Sequence, residues 1–119
     1  MNIKIDTKEK FTIITPELSH LSAILSEEFN KILMDYSTKT PPHLILNVKH
    51  IETLEEKEAL AIIHTQASFY EQNASFVICE IQKPLVKLFE DSPNVTPTES
   101  EAMDIVQMEE IERELLDGF

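Results

Sequence analysis

The sequence predicts an α/β fold: a mixed sheet of about four to five strands with four helices, in the order β-β-α-β-α-β-α-(β)-α. Three observations carry this. Two apolar runs of strand length, His43 to Val48 and Ser75 to Cys79, are nearly unbroken, as expected of central strands covered on both faces. Around them, apolar residues recur three and four apart, the spacing of amphipathic helices. The 119 residues suffice for one core and are too few for two ordinary ones, so residues 1–119 are read as a single domain with a right-handed crossover topology.

Ile3 and Ile5, then Phe11, Ile13 and Ile14 beyond a Thr-Lys-Glu-Lys turn, fit a hairpin covering one face of the sheet, and Pro16 ends its pairing. Leu21, Ile24, Leu25, Phe29, Ile32 and Leu33 align on one face of a first helix, which Thr38 to Pro42 interrupt. After the His43–Val48 strand, Leu60, Ile63, Ala67 and Tyr70 mark the inner face of a helix from Glu55 to about Tyr70, and Asn73 is placed to end it in the left-handed region. Pro84 opens a short third helix with Leu85, Leu88 and Phe89, and Asn94 to Thr96 form an edge strand. Thr98-Glu99-Ser100-Glu101 has the form of a capping box for a last helix to about Leu116, with residues 117–119 expected to fray. Ala102, Ile105, Val106, Met108, Ile111, Leu115 and Leu116 are assigned to core packing, with Met103 and Met108 off the main stripe and available to a second chain in a homodimer.

Composition narrows function more than it selects one. Ten basic against twenty-two acidic residues give a net charge of -12, which repels a polyphosphate backbone and argues against nucleic acid. Met1 to Asp6 alternates polar and apolar residues, and no stretch approaches the roughly 20 apolar residues of a membrane span, so a cytoplasmic location without membrane insertion is expected. The lone Cys79 sits in an apolar run, where a thiolate would be disfavoured, and reads as an inert small hydrophobe. His20, His43, His50 and His64 show no tight ligand spacing, so no metal and no cofactor are assigned; His50 and His64 flank the acidic segment 55–58. Without a glycine-rich phosphate loop, the abundant carboxylates give no sign of catalysis, and the chain is read as no enzyme.

Leu46-Asn47-Val48, His50-Ile51, Leu54, Ala59 to Ile63, Phe76-Val77-Ile78, Pro84 to Phe89 and Glu101-Ala102, in this order over about 100 residues, resemble the STAS family, named for sulfate transporters and anti-sigma factor antagonists. The resemblance implies a non-enzymatic module of bacterial partner switching that regulates transcription by competing for an anti-sigma factor kinase or related regulator. It also implies a partner-binding loop and helix start at Thr53, Leu54, Glu55, Glu56, Lys57 and Glu58. The family's Asp-Ser-Ser-Gly word falls on Glu55-Glu56-Lys57-Glu58, which puts the phosphorylated serine at Glu56.

A phosphate adds about -1.5 to -2 charges, whereas Glu56 carries one that no kinase installs, so Glu56 is a degenerate phosphorylation position. Either it imitates the modified, released state or the partner surface has changed with it. A plainer role is that Glu55, Glu56 and Glu58 complement a helix N-terminus, worth about 0.3–1 kcal/mol each. Thr53 remains as a weak substitute acceptor. Glu58 puts a long charged side chain where the family has bare glycine backbone, which alters how closely a partner can approach. The alternative is an adaptor for a small ligand, a lipid-transport system or a transporter, since STAS-like domains occur in those settings too.

Overall fold

A computed structural model describes residues 1–117. β1 (Ile3–Thr7) and β2 (Thr12–Pro16) pair antiparallel, with Ile5 opposite Ile14, across a turn closed by Lys8 N–H donating to Phe11 O at 2.8 Å. β3 (Leu44–Asn47), β4 (Phe76–Cys79) and β5 (Val95–Thr96) follow, and β2 to β5 run parallel in a five-stranded sheet ordered β1-β2-β3-β4-β5. The hairpin therefore extends the edge of the sheet instead of covering one of its faces. β1 is the outermost strand, and its Ile5 is 46% exposed while Ile3 packs against the core.

The helices α1 (Ala23–Tyr36) and α2 (Glu56–Glu71) lie on one face, with a 3-10 helix (Lys83–Phe89) beside α2, and α3 (Glu99–Asp117) lies on the other. Strand alternation divides the core accordingly. Leu44, Leu46, Phe76 and Ile78 point to Phe29, Leu33, Ile62 and Phe69, while Ile45, Val77 and Cys79 point to Ala102 and Val106. Phe69 meets Phe76 edge to face, with ring centres 5.0 Å apart.

Local signals explain most boundaries. Ser22 caps α1, its Oγ accepting from Leu25 N–H. Asn73, at φ 60°, turns the chain out of α2 as its residue type favours. Thr98 Oγ1 accepts from Glu101 N–H at 3.1 Å and donates to that residue's carboxylate, the capping expected of this sequence. The predicted short helix after Pro84 is 3-10 in geometry.

Three helix faces differ from expectation. In α1 the buried residues are Ser26, Phe29 and Leu33; Leu21 is buried just ahead of the helix, and Ile24 is 82% exposed. In α2 the inner face is Ala59, Ile62, Gln66 and Phe69, one position away from the Leu60, Ile63, Ala67 and Tyr70 stripe. Gln66 hides this register, because its fully buried amide donates to Phe76 O (2.8 Å) and Asn94 O (3.0 Å) and accepts from Ser92 Oγ (2.7 Å). In α3 only Ala102 and Val106 are buried; Met103 packs with them, whereas Met108, Ile111, Leu115 and Leu116 are exposed. A 19-residue helix is about 28 Å long, and four-residue strands span only about 13 Å, so α3 outlasts the sheet beneath it. Of residues 117–119, expected to fray, Asp117 is helical and 118–119 lie outside the described residues.

Candidate functional site

The segment joining β3 to α2 is tied to the segment that precedes α1. Glu52 N–H and Thr53 N–H both donate to Ser19 O, at 2.7 and 3.0 Å, and Leu21 N–H donates to Thr53 O at 3.1 Å. Leu54 is buried in the core and pins the loop from below. Glu55 then takes the cap position with extended backbone (φ -95°, ψ 168°) and makes no side-chain cap bond, although its carbonyl accepts from Glu58 and Ala59 N–H. Glu56 is the first residue of α2, at a strand-to-helix connection as expected from sequence.

The six residues do not form one surface. Thr53, Glu55, Glu56 and Lys57 are exposed together, whereas Leu54 and Glu58 point inward. Glu58, expected at the partner-facing surface, is instead turned inward: it is 6% exposed, and its Oε2 is buried without a hydrogen-bond partner among the described residues. A position three residues past the cap lies on the core side of the first turn, so the side chain is directed by helix geometry rather than by its polarity. Thr53 Oγ1 lies 2.7 Å from His20 Nδ1, which occupies the single hydroxyl beside the acidic turn. His20 is therefore the histidine that meets this loop; His50 and His64 are exposed and make no side-chain hydrogen bond in the described residues.

Other polar groups serve the frame. Asn47, at the end of β3, donates through one amide nitrogen to both Glu80 and Glu99 carboxylates, each at 2.8 Å, while its Oδ1 accepts from Lys49 N–H. His43 Nδ1 accepts from Ser75 N–H at 3.0 Å, which leaves Nε2 to donate to Glu110 on α3. Tyr70 Oη donates to Glu109 and accepts from Asn94, and burial, with Glu109 adding to it against the Asn94 bond, pushes its phenol up to about 12. Burial, followed by the negative Glu80 and Glu99, pushes the Cys79 thiol up to about 12 as well.

Sequence reasoning missed a polar seam between α1 and α2. Thr65 Oγ1 donates to Asn30 Oδ1 at 2.6 Å, and Asn30 Nδ2 donates to Ser26 O at 2.8 Å. Its one legible sign was a run of small polar residues at helical spacing, Ser22, Ser26 and Asn30, along a helix otherwise read from its apolar stripe.

The architecture is that of STAS domains. A STAS domain protein from Planctomyces limnophilus superposes with a TM-score of 0.70 at 12% identity, covering 88% of this chain and 97% of its own. A putative anti-sigma factor antagonist from Thermotoga maritima gives 0.70 at 16%, covering 88% and 94%. The anti-sigma factor antagonist SpoIIAA in its unphosphorylated form gives 0.67 at 13%, covering 89% and 98%. The murine anion transporter solute carrier 26 member A9 matches at 0.69 and 14% over 87% of this chain, which corresponds to 18% of the transporter. No family model and no curated protein matches the sequence. The likeness lies in the fold, and no helix among the described residues is long and apolar enough to cross a membrane.

Proposed function

We propose that this chain is a non-enzymatic interaction module of the anti-sigma factor antagonist kind, acting in bacterial partner switching by binding an anti-sigma factor kinase or a related regulator. The observation that supports this most is the position of Glu56: it is exposed at the first residue of α2, flanked by exposed Glu55 and Lys57, on a STAS fold and without a hydroxyl from 54 to 58. Fixed negative charge there takes the place of charge that a kinase would install and a phosphatase remove. The partner therefore meets an acidic turn at all times, and association is governed by partner abundance instead of modification.

The test uses the anti-sigma factor kinases encoded in the same genome, purified and titrated against this protein. The expected result is a complex that weakens at least about tenfold on Glu56→Lys, with no phosphate transferred to residues 53–58. An equally tight complex with Glu56→Lys, or ATP-dependent phosphorylation of Thr53, overturns the reading. The second reading, a STAS-type adaptor serving a transporter, lipid-transport system or small ligand, is favoured by the match to the anion transporter. It predicts binding to a transport component and none to any of those kinases.

A further inference from the structure

The seam between α1 and α2 opens into a groove of about 1160 Å³. Ala23, Ile24, Met34, Leu60 and Ala61 supply its apolar lining, and Ile24 and Leu60 are 82% and 44% exposed. Glu58 lines the same groove with a buried carboxylate oxygen that has no donor among the described residues, an arrangement that costs free energy unless something supplies one. Lys57 does not supply it, because neighbours one apart on a helix point away from each other. Lys31 on the opposite wall leans to Glu27, one turn away at 4.0 Å.

From this we infer that the groove receives a helical segment of a partner protein, apolar along one face and carrying a lysine or arginine that reaches Glu58. An apolar cleft between two packed helices is a setting in which an amphipathic helix is laid. The occupant follows from charge: a net charge of -12 opposes a second copy, and with Lys31 turned to Glu27 the groove keeps Asp35 and Glu58 against Lys57, an acidic balance that favours a base. The inference rests on the preceding reading that the face around the start of α2 docks a protein, and adds the chemistry of what it docks.

The probe is a phage-displayed library of helix-constrained peptides, selected on the whole protein and counter-selected on the Ile24→Glu/Leu60→Glu variant. Both changes are at exposed positions, and circular dichroism verifies that the variant is folded. The expected selection is of peptides with apolar residues three and four apart and one basic residue, binding the variant at least about tenfold more weakly. Glu58→Gln is expected to weaken the basic peptide and leave its norleucine counterpart unchanged. Peptides that lack a base, that bind the variant equally well, or that never enrich overturn the inference. So does tight binding of dodecylammonium with no peptide selected, or a concentration-dependent dimer abolished by the variant. Loss of a kinase complex on Glu56→Lys but not on Ile24→Glu/Leu60→Glu removes the groove assignment alone; the converse overturns the reading built on Glu56 and leaves the groove assignment standing.

Discussion

Replacing Glu58 with methionine is expected to stabilise the protein, although the change deletes a charge from the first turn of a helix. Glu58 is 6% exposed, and its buried Oε2 finds no donor among the described residues. A buried polar atom left in this state costs about 1–3 kcal/mol, while an acid in the first helical turn returns about 0.3–1 kcal/mol through the backbone dipole. Methionine has similar length and helix propensity and no polar atom to satisfy, so the net gain is about 1–2 kcal/mol. For a chain of this size that raises Tm by about 4–8 °C. Urea denaturation at neutral pH, with the slope unchanged, reads the difference directly. A loss of more than about 1 kcal/mol in both Glu58→Met and Glu58→Gln would refute the reasoning, since it would mean that the carboxylate is satisfied in the folded state. A gain in stability together with weaker binding of a basic helix would mark a residue kept for docking at the expense of the fold.

Gln66→Leu is expected to destabilise by about 2–4 kcal/mol in urea, because Phe76 O, Asn94 O and Ser92 Oγ lose their shared partner; a loss below about 0.5 kcal/mol would contradict the seam. Thr98→Ala should cost about 1 kcal/mol through the lost cap of α3, seen as a lower Tm. Above about pH 9, stability should decline. The folded chain holds the Cys79 and Tyr70 protons more tightly than the unfolded one, so each contribution is complete below the ordinary thiol or phenol value and disappears as pH rises toward about 12. Cys79→Ala/Tyr70→Phe should flatten this slope, and an unchanged slope would refute the assignment. Native Cys79 should resist thiol reagents at neutral pH and react only on unfolding; prompt labelling would place it at an accessible surface.

The central strands were legible because sheets buried on both faces need no alternation: Leu44 to Leu46 and Phe76 to Cys79 each send successive side chains into different apolar layers. Helix ends were legible where one residue type does the work, as at Asn73 and Thr98. The faces of α1 and α2 were not, because a buried glutamine interrupts one stripe and a solvent-facing isoleucine extends the other. Glu58 read as a surface charge since glutamate is almost always one. The groove was beyond reach for another reason: Ile24 and Leu60 are far apart in sequence, and neither carries a local signal that they share a cleft.

The sheet is bounded very unevenly. β5 offers only two residues to any incoming chain, too few to template a ladder, whereas β1 presents five, with Lys4 and Asp6 alternating along them. Such charges discourage a stranger strand from lying flat against that margin, so the hairpin acts as a fender for the apolar strands behind it. Neutralising Lys4 and Asp6 together would leave the interior untouched and remove that guard, inclining the molecule to stack edge to edge.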